Sequence, residues 1–168
     1  RDDNPVIFVE SQALYGEKCV VPEDDYLVPF GVADIKRPGK DLTIIAWGYM
    51  LMESLKAAEM LKQKHGIEAE VIDPRTLIPL DIDAIIRSVK KTGRAIVTSQ
   101  ACITGSYTGE VAAQIQEKAF DYLDAPVVRV GAVDAVSPQS YVLECAYLPN
   151  AAKVVAAAEK LCNLKATA

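Results

Sequence analysis

The sequence predicts an α/β fold with three layers, in which a mostly parallel sheet of five strands lies between two layers of helices. Short runs rich in β-branched residues recur along the chain, and most are separated by longer segments with helical periodicity. This alternation is typical of parallel sheets that are covered on both faces and joined by right-handed crossovers. The predicted strands are residues 6–9, 42–47, 69–72, 95–98 and 127–130.

Four helices are predicted between and after these strands. The first covers residues 49–65, where apolar residues recur three and four positions apart and His65-Gly66 marks the end. The second begins after Leu80, with acids in its first turn and lysines in its last, as the helix dipole favours. The third covers residues 108–122, and the fourth runs from 151 to 164 after Pro149-Asn150.

The length of 168 residues indicates a single domain. Residues 1–41 would hold the first strand and a long surface excursion rich in proline and glycine, residues 42–164 the alternating core, and residues 165–168 a fraying tail. The chain opens on Arg1-Asp2-Asp3-Asn4 without an initiator methionine or a targeting segment. We therefore expect a fragment or processed piece of a longer protein.

Composition excludes several classes of function. The net charge of −5 argues against nucleic acid as a partner, because phosphate binding needs clustered lysine and arginine. No apolar stretch approaches 18 residues, which argues against a membrane span. The four cysteines are far apart, which favours packed thiols in a reducing compartment over a zinc site.

One stretch has a distinctive sequence, although the strand, turn and helix that it predicts are common. Residues 69–81 read AEVIDPRTLIPLD and lead into an amphipathic segment that ends in Thr92-Gly93-Arg94. Together with NPVIFVE at 4–10, FDYLDAP at 120–126 and YLPN at 147–150, this stretch resembles the C-terminal half of the beta subunit of the thiamine-dependent 2-oxoacid dehydrogenases. The pyruvate, branched-chain and acetoin types share this domain with transketolase, and the resemblance covers essentially the whole chain.

The resemblance implies a function in oxidative decarboxylation of pyruvate or a related 2-oxoacid, with acyl transfer to lipoyl groups. The complete enzyme uses thiamine diphosphate and magnesium, but the segments that bind them lie in the other half of the beta subunit and in the alpha subunit. We therefore expect no catalytic, cofactor-binding or metal-binding residue here, and no activity of this segment alone. The compartment would be the cytoplasm in bacteria, and the mitochondrial matrix or a plastid in eukaryotes.

By the same resemblance, this domain assembles an α2β2 tetramer with the alpha subunit and a second beta subunit. It also docks the subunit-binding domain of dihydrolipoyl acyltransferase, through an acid in the Leu-Asp-Ala-Pro segment and the end of the C-terminal helix. Asp124 is the matching acid. An exposed carboxylate there would steer basic side chains of the partner. The alternative is that Asp124 only closes the turn between Tyr122 and Pro126.

Other polar residues are better explained by structure than by chemistry. Asp73 suits a turn, and Asp81 and Asp83 suit the start of a helix. His65 stands at a helix end, where a positive charge is favourable. Cys102 follows a strand end but has no histidine partner for nucleophilic catalysis.

Two further positions bear on ligand binding. The segment GSYTGE at 105–110 lacks the lysine of a phosphate loop, so close packing near a subunit interface is the preferred interpretation. Many relatives have a His-Glu pair where this chain has Ser99-Gln100, which puts a catalytic contribution there in doubt. This change favours a second hypothesis, a detached transketolase-like dimerisation or regulatory module without catalysis. A third hypothesis is a stand-alone nucleotide-binding α/β domain.

Overall fold

Strands and helices alternate along residues 3–163, the part of the chain that the computed structural model describes. The strands are β1 (Asp34–Arg37), β2 (Leu42–Ala46), β3 (Ala69–Asp73), β4 (Ala95–Cys102) and β5 (Val128–Ala132). The helices are α1 (Tyr49–His65), α2 (Ile82–Thr92), α3 (Tyr107–Ala119), α4 (Tyr141–Tyr147) and α5 (Ala151–Leu161). Short 3-10 turns cover Gln12–Leu14 and Phe120–Tyr122.

The five strands form one sheet in the order β1-β3-β2-β4-β5. The strands β2, β3, β4 and β5 run parallel to their neighbours, and only β1 is antiparallel, beside β3. The crossovers from β2 through α1 to β3 and from β4 through α3 to β5 lead in opposite directions from the sheet centre. The predicted fold class, with a mostly parallel sheet of five strands, is confirmed.

The sheet is buried on both faces, as its apolar strands require. Successive side chains of a strand point to opposite faces, and Ile44 and Ile45 in β2 are both fully buried. Ile44 packs in the cluster beneath α1 and α5, whereas Ile45 packs in the cluster beneath α2 and α3. These two clusters are the core of the protein.

The predicted first strand of this sheet, at residues 6–9, is wrong. Residues 6–9 form no strand in the structure. The sheet instead contains β1, which lies within the predicted surface excursion. The run Asp34-Ile-Lys-Arg37 has low intrinsic β propensity, but pairing with β3 through Asp34↔Asp73 and Ile35↔Ile72 overrides it. Residues 6–9 have high β propensity, but no strand among the described residues pairs with them.

Other boundaries differ by a few residues. Strand β4 continues to Cys102, and α3 ends at Ala119, where a 3-10 turn takes over. Helix α4 was not predicted, because it has no buried face and thus no amphipathic signal. The predicted end of the last helix at Leu164 and the tail at 165–168 lie outside the described residues.

Candidate docking site

The site around Asp124 begins with the turn that follows α2. The chain leaves the helix at Gly93, which has a left-handed φ of 69° and donates its N–H to the carbonyl of Val89 at 2.8 Å. A Cβ at this position would lie 2.6 Å from Oδ2 of Asp124. The left-handed backbone therefore favours glycine, and with any other residue the carboxylate of Asp124 would have to move.

Asp124 is tied to this turn but remains accessible. Its N–H donates to the carbonyl of Gly93 at 2.8 Å, and its Oδ2 lies 3.3 Å from Nη2 of Arg94. The side chain of Asp124 is still 59% exposed. The residue thus closes a contact with the α2 turn, rather than only the local turn before Pro126, and keeps a carboxylate facing solvent.

A shallow groove of about 470 Å³ lies beside this carboxylate. Phe120 contributes an aromatic ring that is 65% exposed, which leaves apolar surface next to the charge. A partner with an apolar side chain and a neighbouring basic group would match both features. The groove is lined by Gln116, Phe120, Leu123, Asp124, Ala125 and Pro126.

Sequence analysis singled out neither Arg94 nor Phe120. The ion pair with Arg94 joins residues thirty positions apart, so no local pattern reveals it. Phe120 lies in the 3-10 turn that follows α3, outside the spacing of Val111, Ile115 and Ala119 that forms the buried face of the helix.

The three acids from the end of β3 to the first turn of α2 have structural roles. Asp81 caps α2 by accepting from the N–H of Ala84 at 3.1 Å, and its other oxygen accepts from Ala33 at 2.9 Å. Asp73 accepts from the N–H of Arg75 at 2.9 Å in a turn, and burial raises the pKa of its carboxyl. Asp83 lies in the first turn of α2. The structural interpretation of all three is confirmed.

No metal-binding arrangement forms within residues 3–163: no three His, Cys, Asp or Glu side chains come close enough to share an ion. The same stretch holds no helix that combines the length and apolar character needed to cross a bilayer.

His65 and Cys102 lie at opposite ends of the parallel strands, since His65 ends the helix that leads into β3 and Cys102 ends β4. His65 is at a helix end, as predicted, but its Nε2 also lies 2.8 Å from Oε1 of Glu159 in α5. The Sγ of Cys102 lies 3.2 Å from the hydroxyl of Tyr147. Neither residue approaches the other, so no Cys–His pair exists.

The loop before α3 has a carboxylate bound at its start. The carboxylate of Asp134 accepts from both the N–H of Thr104, at 3.1 Å, and its hydroxyl, at 2.5 Å. A negative charge thus occupies the start of the loop. Close packing is seen further on, where a Cβ on Gly109 would lie 3.4 Å from Nη1 of Arg129. A role of this loop at a subunit interface stays a prediction.

The Ser99-Gln100 pair lies in β4. Ser99 is 4% exposed, and its hydroxyl has no hydrogen-bond partner among residues 3–163. Gln100 is half-buried. A catalytic contribution of this pair stays untested.

Comparison with known proteins shows the family to which this chain belongs. A family profile described as "Transketolase, C-terminal domain" matches residues 31–154. The solved structure titled "Split gene transketolase, inactive beta4 tetramer" superimposes with a TM-score of 0.70 at 30% identity, over 89% of this chain and 46% of that chain. The chain belongs to the family of transketolase C-terminal domains.

Two curated relatives show which proteins with this domain the chain is similar to over nearly its whole length. The pyruvate dehydrogenase E1 component subunit beta of Bacillus subtilis is 49% identical over 162 residues, which are 96% of this chain and 49% of the relative. The acetoin:2,6-dichlorophenolindophenol oxidoreductase subunit beta of the same organism is 46% identical over 92% of this chain and 45% of its own length. The resemblance to beta subunits is confirmed, and the chain spans about half the length of these relatives.

Proposed function

We propose that this chain forms part of the beta subunit of a 2-oxoacid dehydrogenase decarboxylating component, where it serves subunit assembly and docking to the acyltransferase core. The identity of 49% with a pyruvate dehydrogenase beta subunit over nearly the whole chain carries the first part of the proposal. The complete enzyme would decarboxylate pyruvate or a related 2-oxoacid oxidatively and transfer the acyl group to lipoyl groups. Its partners would be an alpha subunit and a second beta subunit.

Thiamine diphosphate and magnesium would bind in the complete enzyme outside this segment. The described residues do not fit these groups, because the acids near the ends of the strands are used as caps and turn contacts. At the start of the loop before α3, the carboxylate of Asp134, which follows β5, accepts hydrogen bonds from Thr104. No step of the reaction is therefore assigned to residues of this chain.

Asp124 would be the docking contact for the subunit-binding domain of dihydrolipoyl acyltransferase. Three observations support this assignment: the carboxylate is 59% exposed, a groove of about 470 Å³ adjoins it, and Phe120 offers apolar surface there. A basic side chain of the partner would share the carboxylate with Arg94. Such a charge contact steers association and fixes orientation, while the groove supplies apolar area.

The test is calorimetric titration of the 168-residue protein with the subunit-binding domain of the acyltransferase. We expect micromolar or tighter binding, about −8 kcal/mol or better. Asp124→Asn keeps the shape and removes the charge, and should weaken binding about tenfold, or about 1.4 kcal/mol. Absence of binding by a folded protein that forms a stable dimer would instead support the detached dimerisation module.

Two control variants separate docking from folding. Arg94→Gln breaks the same ion pair but leaves the carboxylate of Asp124, so binding should be retained if that charge is the contact. Asp83→Asn removes an exposed acid at the opposite end of α2 and should leave affinity unchanged. If Arg94→Gln weakens binding as much as Asp124→Asn, the ion pair acts only on the local structure and Asp124 is not the contact.

A further inference from the structure

A second groove, of about 210 Å³, lies between α2 and the edge strand β1 and shares no lining residue with the groove at Asp124. We call it the α2–β1 groove. Four of its lining residues recur three and four positions apart on one face of α2, one comes from β1 and one from β3. These residues are Ile35, Glu70, Ala84, Arg87, Ser88 and Lys91.

The apolar part of the groove is an incompletely covered edge of the sheet. Ile35 in β1 pairs with Ile72 in β3, so the two side chains lie on the same face of the sheet. Ile72 is fully buried in the cluster beneath α2 and α3, whereas Ile35 is 50% exposed. A small apolar group in the groove would remove more of the Ile35 side chain from water, which is favourable.

The charged part of the groove contains an arginine without a partner. Five arginines lie within residues 3–163, and four of them are held in place. Arg37, Arg75 and Arg94 face carboxylates, and Arg129 donates to a backbone carbonyl. Arg87 has no ion pair or hydrogen bond within residues 3–163. Because a guanidinium matches a carboxylate in a bidentate geometry, this side of the groove is suited to a carboxylate.

The third charged element is a buried carboxylate that already has its partners. Glu70 is 2% exposed, its Oε1 accepts from the hydroxyl of Ser88 at 2.5 Å, and its Oε2 accepts from Nζ of Lys91 at 2.5 Å. Burial raises the pKa of Glu70, but contacts with Lys91, Ser88 and the N–H of Gly39 lower it below its ordinary value, so the group is ionised. The side chain of Lys91 is 48% exposed and keeps further N–H donors free.

These charges select for the charge of a ligand. Glu70, Arg87 and Lys91 together leave the groove with one net positive charge. An anion with a single negative charge balances it, whereas a second negative charge would be left facing the carboxylate of Glu70.

The volume limits the size of a ligand. About 210 Å³ corresponds to roughly seven water molecules at about 30 Å³ each. A carboxylate with a short hydrocarbon chain has this size, and it also matches the pairing of an unpartnered guanidinium with half-exposed Ile35.

We propose that the α2–β1 groove binds a short-chain aliphatic monocarboxylate. Its carboxylate would lie against Arg87 and Lys91, and its hydrocarbon chain against Ile35 and Ala84. The proposal rests on neither docking at Asp124 nor the reaction of the complete enzyme, because the groove shares no residue with the docking site and no step is assigned to it.

Titration of the 168-residue protein with sodium butyrate, followed by amide chemical shifts, tests the proposal. We expect saturable shifts at residues 35 and 84–91, with half-saturation in the millimolar range or below. Acetate lacks two methylene groups and should bind about tenfold more weakly. Butyramide has the shape without the charge, and succinate adds a second charge, so both should bind more weakly than butyrate.

Three variants locate the ligand. Arg87→Gln should raise the half-saturation concentration of butyrate at least about tenfold. Lys90→Gln is the matched control, because Lys90 is an exposed cation of the same helix that does not line the groove, and it should leave binding unchanged. Ile35→Ser should bring the preference for butyrate over acetate below about threefold. Arg87 and Ile35 are exposed, so their replacement spares the core.

Four results would overturn the proposal. Shifts that do not saturate, or that spread over exposed lysines throughout the protein, would mean only non-specific pairing of carboxylates with surface cations. Equal binding by Arg87→Gln and the unchanged protein would place the ligand elsewhere. Equal shifts with butyramide would show that charge is not recognised. Tighter binding of succinate than of butyrate would show that the groove selects a dianion.

Discussion

The carboxylate of Glu53, in the middle of α1, accepts a hydrogen bond from the N–H of Ala151, the first residue of α5, at 2.8 Å. The first amides of a helix have no partner within the helix, so a carboxylate there satisfies a donor and faces the positive end of the dipole. Glu53 is 7% exposed, and Lys56 balances its charge at 2.8 Å. The contact fixes the start of the last helix against the first.

Replacement of Glu53 should therefore loosen α5. Glu53→Gln removes the charge from a buried, charge-assisted hydrogen bond, and we expect a loss of about 1–3 kcal/mol in the free energy of unfolding. Urea denaturation measures it. Glu59→Gln, on the same helix with its side chain 56% exposed, is the matched control and should change the free energy by less than about 0.5 kcal/mol. Equal losses in the two variants would contradict a special role of Glu53.

Acid should destabilise the protein through the same residue. Burial alone would raise the pKa of Glu53, but hydrogen bonds from Lys56 and Ala151 lower it below its ordinary value of 4.5. A carboxyl whose pKa is lowered by folding stabilises the protein above its unfolded pKa, and this contribution is lost as the pH falls through the folded pKa. The free energy of unfolding should decline below about pH 4.5.

The slope of that decline distinguishes Glu53 from other acids. The pKa of Glu70 is also lowered, because contacts with Lys91 and Ser88 outweigh its burial, so some acid sensitivity persists without Glu53. Glu53→Gln should make the decline shallower in urea titrations at pH 7, 5, 4 and 3. A slope identical to that of the unchanged protein would show that Glu53 does not titrate across this range.

A buried polar network between β2, β3 and α2 yields a second prediction. The hydroxyl of Ser88 donates to Oε1 of Glu70 at 2.5 Å and lies 2.7 Å from Oγ1 of Thr43. Ser88→Ala would leave buried groups without this partner and should cost about 1–3 kcal/mol. Ser54→Ala removes a fully buried hydroxyl that has no partner among residues 3–163, and should cost less than about 0.5 kcal/mol or stabilise.

Thermal unfolding of both serine variants checks this contrast. Similar losses would mean that the volume of the hydroxyl, rather than its hydrogen bonds, determines stability at both positions.

The glycine at the Asp124 turn can be compared with a glycine in the same conformation elsewhere. Gly93 and Gly66 both end helices with φ of 69°, but only Gly93 has Asp124 close to where a Cβ would lie. Both changes to alanine should cost about 1–2 kcal/mol for the left-handed backbone. Gly93→Ala should cost more than Gly66→Ala because of the clash.

A double-mutant cycle isolates that clash. In the background of Asp124→Ala, the cost of Gly93→Ala should fall to that of Gly66→Ala, as measured by urea denaturation. An unchanged cost would show that the contact with Asp124 does not restrict the turn.

Removal of the segment before Gly31 should leave the domain folded. None of the apolar residues between 3 and 30 is buried, and the two core clusters draw on residues from Ala33 onward. We expect deletion of residues 1–30 to change the free energy of unfolding by less than about 1 kcal/mol and to increase solubility, because exposed apolar surface is removed. Static light scattering and urea denaturation measure both. A loss of several kcal/mol would show that this segment contributes to the core.

Local patterns predicted the elements whose side chains are buried by the sheet itself. Strand β2 and helix α1 were found within one residue at each end, because burial in the sheet imposes the periodicity that sequence analysis detects. Strand β1 and helix α4 were missed for opposite reasons. Strand β1 forms through its pairing with β3 despite its charged residues. Helix α4 has no buried residue, so its sequence shows no helical periodicity of apolar residues.

The candidate docking site could be predicted only in part. A resemblance to a family motif indicated Asp124, and its exposure agrees with an accessible contact. The ion pair with Arg94 and the groove beside Phe120 depend on how α2 and α3 lie next to each other. Such relationships between distant segments are absent from any window of the sequence.

The bond between Glu53 and Ala151 also has a consequence for synthesis on the ribosome. Helix α1 is made early, but the helix that packs beside it and shares its side of the sheet is the last described element to emerge. Until then, Ile44, Val71 and Ile96 on that side have only α1 to cover them. From the synthesis of β4 until Ala151–Leu161 leaves the exit tunnel, this side of the sheet is therefore only half covered in the nascent chain.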